Sequence, residues 1–277
     1  MAHGYGDDYD EPELEERPRD RRVDEAKEYL LAEVFGKNPE MVFYGRQIEV
    51  IVERDFFHWI TTAALGELVN EGKIQSEKLD VRTGLVARFY WSKGVRYWKR
   101  EAGRTAKLIG RYSTEEVSRA VGDHGELMFD AALPRFGFMP VGREVQEYKG
   151  KKWTLTGHDL DRVFERDGVG YGAEIKNTLD YIEREELETK ISMCKELGLR
   201  PLFIMRFAPK SYNDMIIKSG GYAMIFEWQL YPPGLAELAK ELKEQLRLKV
   251  DIPRRIADGT IQRFLNWHMK QVKGSGG

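Results

Sequence analysis

Two acids and a lysine stand where a strand hairpin would gather them: Asp161 in HDLDRVFE (residues 158–165), and Glu174 with Lys176 in GYGAEIKN (residues 170–177). Alternate residues of a strand point to one side, so Glu174 and Lys176 share a face while Ala173 and Ile175 take the other. Asp167-Gly168 between the segments is a hairpin turn signal. A two-residue turn there sets Asp161 across from Glu174 and Asp159 across from Lys176. A four-residue loop sets Asp161 across from Lys176 and keeps it beside Glu174. Only an odd slip or a bulge would part them. Two carboxylates suit Mg²⁺, which keeps several waters and completes its shell with substrate phosphate. Such a metal polarises a phosphoryl group and acidifies water, and an adjacent lysine positions that water or offsets charge building on phosphorus. The chemistry implied is phosphoryl hydrolysis.

The elements ahead of this trio suggest a polyanion as substrate. Residues 24–36 have helical spacing, with Ala26, Leu30 and Val34 on one face and Gly36 at the end. A short apolar piece, MVFY, follows. GRQIEVIVERDF fits a helix better than a strand, and residues 58–72 form a clearer helix striped by Ala64, Leu65, Leu68 and Val69. LVARFYWSKGVRYWKR, residues 85–100, predicts two strands hinged at Ser92-Lys93-Gly94. Three helices and a basic hairpin form the pattern of a winged helix. From Arg82 to Arg111 nine basic residues face a single acid, Glu101, in a chain whose net charge is −2. Arg88, Lys93, Arg96, Lys99, Arg100 and Arg104, interleaved with Trp91, Tyr97 and Trp98, are the candidate nucleic-acid contacts. The plainer account is a hairpin kept soluble by its charges, and winged helices also bind proteins.

Ser113 with Glu116 forms a capping box that predicts a new helix running to Pro134. Strand-like and Gly-rich segments come next, then the Asp161 to Lys176 hairpin. An amphipathic helix over 183–198, a buried strand at LRPLFIMRFAP and further helices at 234–247 and 258–272 complete the chain. This alternation predicts an α/β core with a mixed sheet flanked by helices, preceded by a mainly α domain. The expected organisation is a disordered acidic tail over 1–22, a winged-helix nucleic-acid-binding domain over 23–112, and a catalytic domain over 113–273.

Glu126 in HGELMFDAAL, Gly137-Phe138, Asp161 followed by RVF, and Glu174-Ile175-Lys176 occur in an order that resembles the PD-(D/E)XK nuclease superfamily, the restriction-endonuclease-like fold. The resemblance spans about residues 113–210 and leaves out the winged helix. It implies that Asp161 and Glu174 are metal ligands, Lys176 the catalytic lysine, and Glu126 the helix acid that supports the metal. Leu160 stands where the family carries proline. Asp159 competes with Asp161 for the ligand role; the apolar Val163 and Phe164 after Asp161 favour the latter. Asp130, one turn beyond Glu126, competes for the helix acid. Lys190 reads as a solvated lysine, His158 as a hydrogen-bonding residue near a strand start, and Cys194 as packing.

Composition narrows the remainder. Hydrophobic content of 42% supports a folded protein. A single cysteine excludes an internal disulfide framework and a cysteine-clustered zinc site, and favours a reducing, cytoplasmic setting. No apolar run nears a membrane span, and the first twenty residues lack a secretory core. The expected function is a Mg²⁺-dependent DNA endonuclease, with Mn²⁺ an accepted substitute. Its partner is duplex or branched DNA, and a homodimer is in view because double-strand cutters of this fold often pair two sites. The alternative is a DNA-binding regulator or interaction protein with an inactive nuclease-like core.

Overall fold

The computed structural model describes residues 20–274. The acidic tail expected over 1–22 lies outside the described residues except for its last three, of which Arg22 opens the first helix. The chain divides into two compact units: residues up to Ser118 together with Glu237–Leu248, and Arg119–Ala236 together with the segment from Lys249 onward. The first break falls a few residues past the expected boundary, inside a helix. The first unit also takes in a distant segment that no local pattern announces. Among the described residues no helix is long and apolar enough to cross a membrane.

In the first unit, α1 (Arg22–Tyr29) continues as a π-helical turn over Leu30–Phe35. Then come β1 (Val42–Tyr44), α2 (Gly45–Val52), α3 (His58–Asn70), β2 (Ile74–Arg82), β3 (Leu85–Ser92) and α4 (Trp98–Tyr112). The Gln47 side chain accepts the Tyr44 N–H at 3.1 Å, satisfying a backbone donor that the start of α2 leaves open. Leu30, Phe43, Ile48, Ala64, Leu68 and Tyr90 belong to one buried cluster that joins the helices to the sheet. The sheet order is β1-β3-β2, all antiparallel.

This arrangement corrects the expected hairpin. Leu85–Ser92 is a strand, but its hairpin partner is the preceding β2, joined through Thr83-Gly84 with Gly84 at φ 75°. The residues after the Ser92-Lys93-Gly94 hinge, expected as the second strand, enter helix α4 at Trp98. Ala102, Ala106 and Ile109 recur at helical spacing and are buried, which fixes the helix. β2 carries no clear strand signal because its sequence, IQSEKLDVR, is mostly polar, and its side chains are largely exposed or half-buried. Trp91 stacks on Trp98 with ring centroids 4.2 Å apart, closing the connection between β3 and α4.

In the second unit the elements run α5 (Glu115–Ala132, entered from the first unit), β4 (Met139–Val145), β5 (Glu147–Tyr148), β6 (Lys151–Lys152), β7 (Leu160–Arg166), β8 (Val169–Lys176), α6 (Arg184–Leu197), β9 (Arg200–Met205), α7 (Lys210–Lys218), β10 (Tyr222–Ile225) and β11 (Gln229–Leu230). α8 (Ala236–Leu246) lies almost wholly within the segment grouped with the first unit, where Glu241 takes Arg111 in a two-pronged pair at 2.7 and 2.9 Å. β12 (Val250–Asp251) and α9 (Asp258–Gly274) end the second unit. The cap of α5 sits one residue later than expected: Thr114 Oγ1 accepts the Val117 N–H at 3.3 Å, while Ser113 ends α4.

The central five-stranded sheet is mixed, ordered β10-β9-β8-β7-β4; β4-β7 and β7-β8 are antiparallel, β8-β9 and β9-β10 parallel. Helices cover both faces. Phe129 of α5 and Phe264 of α9 pack with Phe164, Tyr171, Ala173 and Ile175. On the other side Met193 and Cys194 of α6 pack with Val163, and Leu187 of α6 packs with Phe203 and Met205. Asp167 (φ 50°) and Gly168 (φ 76°) both take left-handed conformations, as a two-residue hairpin turn of the primed kind requires. A chain of contacts running from the core to the surface ties that turn to α9: the Tyr171 hydroxyl meets His268 Nδ1 at 2.6 Å, and His268 Nε2 meets Asp167 Oδ2 at 2.9 Å.

Candidate functional site

The hairpin register builds the site. Arg166 pairs with Val169 and Arg162 with Ala173, so the turn has two residues and the ladder ends just before Asp161. There the side chain takes over from the backbone, and Asp161 Oδ2 accepts the Ile175 N–H at 2.6 Å. Tyr171, Ala173 and Ile175 point into the α5 and α9 side, so Gly170, Gly172, Glu174 and Lys176 face α6. A Cβ on Gly172 would stand 2.6 Å from Cys194 Sγ and 2.7 Å from Leu160 Cδ1. Gly172 thus lets α6 lie close to the strand, Gly170 makes room for Tyr148 and Leu199, and the charged pair follows on the same face.

Glu174 is only 2% exposed. Its Oε1 lies 3.0 Å from Lys176 Nζ, and Lys176 also reaches Glu186 of α6 at 2.8 Å. Its Oε2 lies 2.6 Å from Nζ of Lys190, one turn along α6 from Glu186. The Lys190 ammonium also donates to the Asp159 carbonyl. Apart from this buried ion pair with Lys190, Glu174 Oε2 has no hydrogen-bond partner.

The charges act on one another. Burial first, and then the neighbouring Glu174, push the Asp161 carboxyl up to about 7, against the opposing pull of the Ile175 N–H, Lys190 and Lys176. Burial works against the charge on Lys176, but Glu174 and Glu186 outweigh it and hold the ammonium above its ordinary value. Burial likewise opposes the charge on Glu186, yet Lys176, Lys190 and His158 together hold its carboxyl below the usual range. Lys176 and Glu186 keep part of their side chains in solvent, so the cluster is open on that side.

Asp161, Glu174 and Lys176 are therefore brought together, and Glu126 is not. Arg162, adjacent to Asp161, points to the opposite face of β7. There its buried guanidinium binds Asp130 at 2.9 to 3.0 Å and Glu126 at 2.9 Å. Arg143 adds a second contact to Glu126 at 3.5 Å. Both candidate helix acids, Glu126 and Asp130, are committed to Arg162 rather than to the Asp161 and Glu174 cluster. Asp159 enters the cluster through its backbone carbonyl.

Lys190 and Glu186 are the site residues the sequence reading missed. Lys190 is 4% exposed, not solvated. Its signal was positional: it lies between Leu187 and Cys194 on the buried stripe of α6, where an apolar residue is the rule. His158 is exposed, with Nδ1 at 2.8 Å from Thr156 Oγ1.

Among the described residues no group of three or more Asp, Glu, His or Cys side chains is placed to hold a metal unaided. The Asp161 and Glu174 pair offers two carboxylates, the number Mg²⁺ commonly takes from protein while retaining waters. Two observations fit a cation there. Glu174 Oε2 is a buried acceptor with no hydrogen-bond partner beyond its ion pair with Lys190, and Asp161 is held from ionising partly by Glu174, a conflict that a cation between them would relieve. Once Asp161 is ionised, the three carboxylates outnumber the two ammoniums by one charge, a balance that favours a divalent ion.

The basic residues gather on different elements from those expected. Arg88 is half-buried on β3, opposite Lys78. Lys93 and Arg96 are exposed in the link to α4, and Lys99, Arg100 and Arg104 are exposed on α4 itself. At 100° per residue, Arg100, Arg104, Lys107 and Arg111 fall within about 60° of one another, opposite the buried Ala102, Ala106 and Ile109. Arg100 lies over the Tyr97 ring, its guanidinium carbon 5.3 Å from the centroid, and Tyr97 is 68% exposed. Glu101 pairs with Arg100 and Arg104 at 3.1 and 3.4 Å. Comparison of the chain with family models, curated proteins and solved structures returned no match.

Proposed function

We propose that this chain is a metal-dependent DNA endonuclease of the PD-(D/E)XK kind, carrying a winged-helix module that grips the duplex. The observation that bears most of the weight is the buried Glu174 with Lys176 two residues on, facing Asp161 across a two-residue hairpin. The sequence α5, β7-β8 hairpin, α6, β9 supports the resemblance to that superfamily. The order α1-β1-α2-α3-β2-β3 with a three-stranded antiparallel sheet supports the winged helix, with the wing at β2-β3.

Asp161 and Glu174 would hold Mg²⁺ or Mn²⁺, which supplies Lewis-acid polarisation of the phosphoryl oxygen and a more acidic water. The chain's own residues prepare that ground. The Ile175 N–H fixes the Asp161 carboxylate in place. Glu186 holds Lys176 charged and aimed along the strand face, where its ammonium orients the attacking water or offsets charge on phosphorus. Water then adds to phosphorus, passing a proton to solvent, and the bond to the leaving sugar oxygen breaks as that oxygen takes up a proton from solvent. The basic face of α4 neutralises phosphates in the other unit, so binding and hydrolysis fall to different parts of the chain.

Purified protein with Mg²⁺ or Mn²⁺ is expected to cut one or more of a panel of duplex, single-stranded, flap and junction DNAs, and EDTA to stop it. Lys176→Ala is expected to lower the cleavage rate about a hundredfold or more while DNA affinity stays within a few fold. A Lys176→Ala protein that cuts like the parent would refute the site.

A second reading is favoured by one feature: both oxygens of Glu174 already face ammonium groups, and Glu126 is tied to Arg162. In that reading the core is a catalytically silent scaffold and the protein binds DNA or a protein partner. DNA binding without cleavage under any divalent ion would select it.

A further inference from the structure

We infer that Lys190 is a resident counter-cation that competes with the divalent ion for Glu174, so that α6 sets the metal affinity of the site. This rests on the reading of Asp161 and Glu174 as metal ligands. Lys190 and Glu174 are 4% and 2% exposed and meet at 2.6 Å, so each is the other's means of remaining charged in the interior. The ammonium has a second anchor, the Asp159 carbonyl, which belongs to the backbone just ahead of Asp161. Lys190 can therefore release Glu174 Oε2 and still keep a partner. Glu174 Oε2, for its part, has no hydrogen-bond partner beyond that ion pair.

The location of Lys190 makes a merely structural lysine a poor account. Its neighbours on the α6 stripe, Leu187, Met193, Cys194 and Leu197, are buried apolar packing residues, and a methionine would fill the same space. What the lysine adds is charge. It offsets one of three carboxylates (Asp161, Glu174, Glu186), and Lys176 offsets another. An incoming divalent ion must share Glu174 with an ammonium already in place. With Lys190 neutralised, one ammonium, Lys176, remains beside the three carboxyl groups, so a cation meets less like charge at Glu174.

The test is a calorimetric titration of Mn²⁺ into the full-length chain, paired with thermal melts with and without the ion. Lys190→Met is expected to bind Mn²⁺ about tenfold or more tightly than the parent, because a like charge beside the ion is removed. It should melt lower than the parent without metal and gain more from Mn²⁺. Lys190→Arg, which keeps the charge, is expected to stay within a few fold of the parent. If Lys190→Met does not fold, Lys190→Gln carries the same expectation. A folded Met or Gln variant that binds Mn²⁺ no better than a parent that does bind it would overturn the role given to Lys190 and leave the metal site standing. Absence of Mn²⁺ binding in parent and variant alike would overturn both. Binding by the variant alone would mean that Lys190 excludes the ion outright, the strongest form of the competition.

Discussion

Glu174 concentrates the electrostatics of the second unit in one side chain: buried, flanked by two ammoniums and close enough to Asp161 to impede its ionisation. Its chemistry was legible because strand alternation and a DG turn are short-range signals. Its neighbours were less so. Lys190 interrupts an apolar helical stripe, and a lysine in a sequence reads as a surface residue by default. Glu126 matched a motif by order along the chain, but order does not say which sheet face a helix acid meets, and Arg162 captures it on the other one. In the first unit His58 offers a separate residue-level prediction. Burial first, and Arg46 second, hold its imidazole down to about 4. The unfolded chain takes up that proton near 6.5, so stability present above this pH is lost as pH falls toward 4. Melts of His58→Gln should show a shallower acid limb between pH 6.5 and 4 than the parent; limbs of equal steepness would mean the ring does not stay neutral in the fold.

At the level of elements, α6 lies close to β8 because Gly172 carries no side chain on the face it covers. Gly172→Ala would place a methyl against Cys194 Sγ and Leu160 Cδ1 at distances that contacts do not tolerate. Overpacking of this type costs about 1–3 kcal/mol. Denaturant unfolding should register that loss, and cleavage should fall as Glu186 and Lys190 move with the helix; an unchanged midpoint would mean that α6 yields freely. The helices and the Asp161 to Lys176 hairpin were readable from period and turn chemistry, including the Gly198 stop of α6 (φ 74°). The β2-β3-α4 region was not. Aromatic and β-branched residues drew attention to 85–100, while the true partner strand was hidden by its charged, exposed side chains. The basic excess was visible in composition, yet its carrier turned out to be a helix, because small buried residues (Ala102 and Ala106) mark the inner face of α4 weakly.

Over the whole molecule, the net charge of −2 conceals a separation of sign between the expected acidic tail and the cationic face of α4. If that face contacts nucleic acid, reversing Arg100 and Arg104 to glutamate together should weaken DNA binding and reduce the slope of log affinity against log salt by about two or more. Undiminished binding by the double variant would point instead to a protein partner for the first unit. The chain's division, with Glu237–Leu248 returning to the first unit after the second has largely been laid down, could not be read from local pattern at all. The clamp of Tyr171, His268 and Asp167 adds a dimension of time. The hairpin that aligns Asp161 with Glu174 is synthesised long before His268, which fastens its turn from α9. On a ribosome, where a chain emerges from its N-terminus, the fastening of that turn would wait until α9 has emerged, so the alignment of Asp161 with Glu174 is secured late in synthesis.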